Sequence, residues 1–295
     1  GVLDAADAAL EKSHEPFLDE LVKEARRHPS RDYFVLKQAA QHNIFGLDLM
    51  RGAAEIARLR LYLKLVAQLE TRAQIEPLPD LEFNIKTGNL LIGATTADSL
   101  VAMGDTLDSQ DEAQRLSGEA SAMSALWEAY VAAQETRDDG LIVKAKKALQ
   151  QTETNIRERL DRFVFARLGT GNFDEWRDKC QPFHWFAEFS DVFNRGGFDV
   201  VIGNPPYIAK GKVDYPTTGH KTSSCPDIYA MCMERAIALL SKQGKFAMIV
   251  MSNLCFNDSY GPIRSLLRGE FPVRWVSSPG RTPSALFSAE ARVRN

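Results

Sequence analysis

The stretch "FDVVIGNPPYIAKG", residues 198–211, joins an apolar run to a turn that contains two successive prolines. The run from Phe198 to Gly203 is short, β-branched and ended by glycine, which is typical of a buried strand in a parallel sheet. Pro205 and Pro206 remove two backbone donors and fix two φ angles, so the chain after Gly203 is held extended with unpaired carbonyl groups. We therefore expect a rigid turn that accepts hydrogen bonds at the end of a strand.

Four other apolar stretches bounded by turn formers are also predicted to be buried strands. They are "NIFGLDL" (43–49), "LEFNI" (81–85), "KFAMIVM" (245–251) and "FPVRWVS" (271–277). Helical patterns lie between several of them, over residues 50–70 and over residues 227–244, where Gly244 is expected as the helix C-cap. Alternating strands and helices predict a doubly wound α/β sheet, in which ligands bind beyond the carboxyl ends of the strands.

Residues 111–168 do not alternate between strand and helix patterns. They are predicted to be helical throughout, with one break at Asp138-Asp139-Gly140. Apolar positions recur at spacings of three or four in each half: Met123, Trp127 and Tyr130, then Ala145, Leu149, Thr152, Ile156, Leu160 and Phe163. This spacing predicts two antiparallel helices inserted into the sheet domain, with a packing or dimer role favoured over direct DNA contact. The predicted boundaries divide the chain into three parts, residues 1–110, 111–168 and 169–295.

Composition excludes several classes of protein. A formal net charge of −3 gives no overall attraction to a polyanion, so a nucleic-acid partner needs a local basic patch. Four cysteines without CxxC spacing argue against a zinc site and a disulfide framework, and no apolar run reaches the length of a membrane span. We expect a cytoplasmic protein with no metal and no membrane segment.

The loop "AKGKVDYPTTGHKTSS", residues 209–224, is the local basic patch nearest to the turn. Its cations are Lys210, Lys212, His220 and Lys221. Either they hold DNA phosphates, or the segment is a solvated lysine-rich loop; both interpretations have equal support. His184, within the aromatic segment "FHWFAEF", is expected to be structural and to cap a neighbouring carbonyl.

The turn at Asn204 suggests how a planar amine would be held. The side-chain carbonyl of Asn204 and the main-chain carbonyl of Pro205 can both accept hydrogen bonds from one exocyclic amino group, while Tyr207 stacks on the ring. An aromatic amine is a poor nucleophile because its lone pair is delocalised, so the reaction needs a strong electrophile. A methyl sulfonium meets that need, since displacement at its methyl group depends above all on positioning.

Asn204-Pro205-Pro206-Tyr207 after an apolar strand resembles the catalytic motif of amino-group methyltransferases that use S-adenosylmethionine. Residues 33–70, 75–93 and 183–208 resemble consecutive blocks of the N6-adenine DNA methyltransferase domain of type IIG restriction-modification enzymes. The segments "DIYAMCMERAIALL" (227–240) and "GKFAMIVMSN" (244–253) extend this similarity. The resemblance implies a Rossmann-like sheet, a bacterial or archaeal source, and double-stranded DNA whose target adenine is flipped into the site.

The resemblance also assigns two residues to the cofactor. Asp48 is expected to accept hydrogen bonds from the ribose hydroxyls of S-adenosylmethionine, and Asn89 to lie beside its adenine. The structural alternatives are a helix N-cap for Asp48 and a turn residue for Asn89. Tyr207 is expected to act through its ring alone, so that Tyr207→Phe is nearly silent.

Two other functions remain open. A protein glutamine-amide methyltransferase also uses Asn-Pro-Pro-Tyr, although the helical insertion and the "FHWFAEF" segment favour the DNA enzyme. The second is a non-catalytic DNA-binding fragment, since the family's glycine-rich cofactor turn is not recognisable before Tyr33 and no target-recognition region follows. We therefore expect a piece of a longer enzyme that binds the cofactor weakly by itself.

Overall fold

The computed structural model describes residues 16–71, 74–136, 138–217 and 219–277, with the backbone alone described for residues 16–19 and 135. Within these ranges the strands are β1 (Gly46–Asp48), β2 (Ile85–Thr87), β3 (Phe198–Gly203) and β4 (Leu240–Met248). The first helices are α1 (Pro16–Arg27), α2 (Arg31–His42), α3 (Arg51–Val66), α4 (Ala97–Val101), α5 (Leu107–Thr136) and α6 (Asp139–Leu168). The later helices are α7 (Phe173–Cys180), α8 (Trp185–Glu188), α9 (Ser190–Asn194), α10 (Ile228–Ile237), α11 (Asn253–Phe256) and α12 (Gly261–Glu270).

The strands form two parallel pairs. β1 pairs with β2 so that Asp48 lies opposite Thr87, and β3 pairs with β4 so that Gly203 lies opposite Met248. The α/β class is confirmed, whereas a single Rossmann-like sheet stays a prediction. The strand predicted over 271–277 is wrong: that segment has no regular structure and Trp275 is 93% exposed. An apolar segment becomes a strand only where a partner strand lies alongside it.

β4 begins earlier than predicted. Helix α10 ends at Ile237, so Gly244 is not its C-cap and lies inside the strand. Phe198 pairs with Leu240 but Val200 with Lys245, so residues 241–244 bulge out of the ladder. A Cβ at Gly244 would lie 2.9 Å from the carbonyl oxygen of Phe198, and this close approach explains the glycine.

The two long helices α5 and α6 follow the predicted pattern. Arg159 of α6 forms an ion pair with Glu119 of α5, and the two residues are about equally far from the break, so the helices are antiparallel. The predicted apolar seam is buried, apart from Trp127, Ala145 and Thr152, which are partly buried. Whether these helices are an insertion, and where the domain boundaries fall, stays a prediction.

A layer of aromatic side chains supports both strand pairs. Phe45, next to β1, and Phe198 of β3 both contact Phe189, with ring centroids 5.2 and 5.9 Å away. Within β3, Val201 packs against this layer, whereas its neighbours Val200 and Ile202 lie on the other face and are 57% and 76% exposed. The prediction of a fully buried strand is therefore wrong, since β3 is covered on one face only.

Candidate active site

The turn Asn204–Tyr207 follows β3 directly. The last ladder bond runs from the Ile249 amide to the Gly203 carbonyl, at 3.0 Å. Asn204 and Pro206 are exposed, whereas Pro205 is buried. Among the described residues, no hydrogen bond ends on the carbonyl of either proline. Within the described residues the proline carbonyls of the turn therefore stay unpaired, as the double proline predicts, and Asn204 and Pro206 lie at the surface.

The Tyr207 hydroxyl lies between two oxygen atoms. It is 2.8 Å from Asn204 Oδ1 and 2.9 Å from the Ile249 carbonyl oxygen. Burial raises the pKa of Tyr207, so the hydroxyl keeps its one proton and donates it to one oxygen at a time. This contact involves the atom expected to accept the target amine, and the ring-only role of Tyr207 stays a prediction.

Two buried tyrosines lie behind Tyr207. The Tyr229 ring stands edge-on to Tyr207 at 6.3 Å, and the Tyr260 ring stacks on Tyr229 at 5.2 Å. Asn253 accepts from the Tyr229 hydroxyl at 2.8 Å, and the Tyr260 hydroxyl donates to Asp227. Sequence reasoning missed this network. The one member of this network that a local sequence signal could have pointed to is Tyr229, near the start of the predicted helix.

Helix α10 holds the chain that leaves the turn. The Ile228 amide, at the start of the helix, donates to the Ile208 carbonyl at 2.9 Å. The Lys210 amide donates to the Pro226 carbonyl at the same distance. These bonds fix the position of the turn relative to the first residues of the helix.

Asp48 and Asn89 lie together at the carboxyl end of the β1–β2 pair. Asp48 is opposite Thr87, and its carbonyl accepts from the Gly88 amide at 3.0 Å. The exposed Asp48 carboxylate accepts from the Met50 amide at 2.8 Å through Oδ1. The N-cap of α3 is Met50, so Asp48 is not the helix cap that the alternative interpretation expected.

Asn89 is 4% exposed. Its Oδ1 accepts from the Leu91 amide at 3.0 Å, as expected of a turn residue. Its Nδ2 atom is buried and has no well-formed hydrogen bond within the described residues. A weak hydrogen bond from the Asn89 side chain lowers the pKa of Tyr215, which burial raises by more. A buried donor in this state fits an acceptor on a ligand.

These residues fit S-adenosylmethionine in part. The exposed Asp48 carboxylate keeps acceptor capacity for ribose hydroxyls, and Asn89 Nδ2 has a donor to offer a purine nitrogen. No hydrogen bond or ion pair joins this pair to the Asn204 turn within the described part of the chain. Helix α10 contacts the turn that contains Asn89 through Arg235, and the chain after Tyr207 through Ile228.

The basic loop is held by hydrogen bonds within itself and to α10. Glu234 of α10 accepts from the amides of Lys221 and Thr222 at 2.9 and 2.8 Å. Lys210 Nζ donates to the Ser223 carbonyl at 2.6 Å, so Lys210 stabilises the loop by a hydrogen bond within it. The His220 pKa is lowered by burial, and less by the charge of Arg235. Of the four cations, Lys212 and Lys221 are the exposed ones.

His184 has the predicted structural role, although its partners differ. The ring is completely buried and Nε2 lies 3.0 Å from Asp161 Oδ1. Nδ1 accepts from the Ala94 amide at 3.2 Å, so His184 binds an amide instead of capping a carbonyl. The assignment of an Nε2 proton follows from these two partners.

Comparison with known proteins identifies the family. The family model described as Eco57I restriction-modification methylase matches residues 42–273. The chain belongs to this family. A relative from Methanocaldococcus jannaschii, named as a type II restriction enzyme and methyltransferase (RM.MjaORFECS2P), is 25% identical over 325 residues, which cover 88% of this chain and 27% of the relative. The type II methyltransferase M.PaeR7I from Pseudomonas aeruginosa is 30% identical over 95 residues, or 30% of this chain and 17% of the relative.

The Eco57I-family match spans β1 to β4 and includes the candidate site residues Asp48, Asn89 and Asn204–Tyr207. The chain spans about a quarter of the length of the first curated relative and less of the second. No solved structure matches it. None of the helices in the described residues is long and apolar enough to cross a membrane. Within the same residues, no group of three or more His, Cys, Asp or Glu side chains could hold a metal ion.

Proposed function

We propose that this chain is the methyl-transferring part of a DNA adenine-N6 methyltransferase that uses S-adenosylmethionine. The observation that carries the proposal is the Asn204–Tyr207 turn, whose exposed acceptors stand at the carboxyl end of β3 within a restriction-modification methylase family member. The relatives' names support a DNA substrate over a protein glutamine. A cytoplasmic location agrees with this function and stays a prediction.

Each site residue has one role in this proposal. Asn204 Oδ1 and the Pro205 carbonyl accept the two hydrogens of the adenine amino group, which favours a pyramidal nitrogen with a localised lone pair. Tyr207 supplies the ring on which the flipped base stacks. Asp48 and Asn89 hold the cofactor, which supplies an electrophilic methyl group when bound.

DNA contacts come from the exposed end of the basic loop. Lys212 and Lys221 lie beyond the catalytic turn, where phosphates flanking a flipped nucleotide pass. Glu234 holds the loop close to the site. Duplex DNA with a flipped adenine is therefore the partner we propose.

Asn204→Ala tests the reaction. We expect methyl transfer to an adenine-containing duplex to fall by at least ~10²-fold, the usual effect of removing one transition-state hydrogen-bond partner. Cofactor affinity should be unchanged, because Asn204 faces the target base. Asn194→Ala, on the exposed side of α9, is the matched control and should keep full activity. Near-normal turnover of the Asn204 variant would refute the assignment, and transfer to a glutamine peptide would favour the protein-directed enzyme.

Asp48→Ala tests the cofactor site separately. Losing a charge-assisted hydrogen bond to a ribose hydroxyl should weaken cofactor binding by about 1.5–3 kcal/mol. Calorimetric titration with S-adenosylmethionine measures this. Equal affinities of the variant and the native chain would leave Asp48 with only its bond to the Met50 amide. If the native chain binds no cofactor, the non-catalytic alternative gains support.

A further inference from the structure

Arg235, on α10, binds the turn that contains Asn89. Its Nε donates to the Leu90 carbonyl at 3.2 Å and its Nη2 to the Leu91 carbonyl at 3.3 Å. Nη2 also contacts the Gly93 carbonyl. Among the described residues Arg235 forms no ion pair, so these carbonyls are what the guanidinium holds.

The Asn89 turn is fixed on its other side as well. The Asn89 amide donates to the Gln181 carbonyl and the Phe183 amide to the Ile92 carbonyl, both at 2.8 Å. Gly93 has a φ of +110°, and a Cβ there would collide with the main chain of Phe183. With strand-like bonds on one side and Arg235 on the other, the turn has no room to shift by itself.

The opposite end of α10 holds the catalytic turn. The Ile228 amide binds the Ile208 carbonyl, and the Tyr229 ring meets Tyr207. Arg235 comes seven residues after Ile228, so about 10 Å of helix separates the two attachments. One rigid helix thus joins the turn proposed for the cofactor to the turn proposed for the target base.

We propose that Arg235 is a positioning residue that sets the separation between the cofactor and the target base. The inference rests on the proposed function, because it concerns the same methyl transfer. In-line displacement needs the two reacting atoms within about 3–3.5 Å, and a displacement of 1 Å costs on the order of 10²-fold in rate. Arg235 remains a cation at neutral pH, since burial lowers its pKa only to about 10.

The first measurement compares Arg235→Met with the native chain. Methionine keeps much of the apolar bulk but removes the donors that bind the three carbonyls. We expect the single-turnover rate of methyl transfer to fall by ~10–10²-fold. Affinities for S-adenosylmethionine and for DNA with an unpaired target adenine should each change less than about 3-fold, because each turn keeps its own ligand contacts. Arg235→Lys, which keeps the charge, should recover part of the rate.

Arg264→Met is the matched control. Arg264 also binds two main-chain carbonyls, those of Leu254 in α11 and of Asn257 just after it, at 2.9 and 2.6 Å, but it does not join the two turns. Its loss should lower thermal stability and leave the single-turnover rate unchanged. A normal rate in Arg235→Met, or an equal loss in Arg264→Met, would overturn the positioning role.

Hydrogen exchange gives a readout that does not need methyl transfer. In Arg235→Met, the amides of Asn89 and Lys210 should both exchange faster, since loosening one turn releases the other through α10. The Arg264 variant should leave both amides protected. Unchanged exchange in Arg235→Met would refute the link whatever the reaction is. Faster exchange in a chain that methylates no adenine would refute the proposed function and keep the link.

Discussion

At the scale of single residues, the structure gives the Tyr207 hydroxyl contacts that the sequence did not predict. The hydroxyl contacts Asn204 Oδ1 and the Ile249 carbonyl with one proton to share. When a target amine donates to Oδ1, the hydroxyl proton can turn to Ile249 without leaving either oxygen unpaired. The tyrosine thus keeps the carboxamide in place before the base arrives.

Tyr207→Phe is the corresponding prediction. The ring remains, so stacking of a flipped base and quenching of 2-aminopurine at the target position should persist. The methylation rate should fall by about 2- to 10-fold, the effect of losing a hydrogen bond of roughly 0.5–1.5 kcal/mol that orients Asn204. Tyr207→Ala should lose both the stacking of the flipped base and the hydrogen bond that orients Asn204. A Phe variant with the native rate would restore the ring-only account.

At the scale of elements, buried charges fasten β2 to the long helices. Lys86 of β2 lies 2.7 Å from Glu188 of α8, and Arg157 of α6 lies 2.6 Å from the same carboxylate. Glu153 of α6 completes the cluster, 2.9 Å from Lys86. Burial alone would raise the pKa of Glu188, but Arg157 and Lys86 outweigh it and hold the pKa far below its usual range.

Glu188→Ala should therefore destabilise the chain by about 3–5 kcal/mol, because it leaves the buried Lys86 and the partly buried Arg157 without their main partner. Chemical denaturation followed by circular dichroism measures the loss. Glu158→Ala is the control, since Glu158 and Arg162 form an exposed pair one helical turn apart and should contribute at most about 0.5 kcal/mol. A small effect at Glu188 would mean that Glu153 compensates for its loss.

The elements also show what sequence can predict. β3 and the break between α5 and α6 were predicted because their signals are local: a β-branched run ended by glycine, and a helix-stopping Asp-Asp-Gly. The bulge in β4 depends on a partner strand 42 residues away, so Gly244 was mistaken for a helix cap. The Asn204 turn follows from two prolines, but Arg235 and Tyr260 join the site only through tertiary packing.

At the scale of the whole molecule, buried tyrosines control stability at high pH. Tyr130, Tyr229 and Tyr260 are at most 1% exposed. Burial, with hydrogen bonds from the phenols to neighbouring groups, raises all three pKa values above 10. The unfolded chain then loses these protons near pH 10 while the folded chain retains them, so the stability they contribute is complete below pH 10 and declines above it.

We expect cooperative alkaline unfolding. Each buried tyrosine lowers the free energy of unfolding by about 1.4 kcal/mol per pH unit above pH 10. Arg235, with its pKa lowered to about 10, acts in the opposite direction, but as one group against these three tyrosines and three others whose pKa values burial raises, Tyr33, Tyr207 and Tyr215. Most of the tyrosinate absorbance should appear together with the change in far-ultraviolet circular dichroism during a pH titration. Ionisation of all seven tyrosines near pH 10 with helicity intact would contradict the burial of these hydroxyls.

The uncovered face of β3 affects how the chain behaves in the laboratory. Val200 and Ile202 offer folded, ordered apolar surface, as do Ile56 and Leu63 on α3, which are 57% and 60% exposed. Dyes that fluoresce on apolar surface will bind the native state and give a high signal before any heating. A melting curve recorded with such a dye would make an intact protein resemble a molten globule, so thermal screens of this chain need an intrinsic spectroscopic probe.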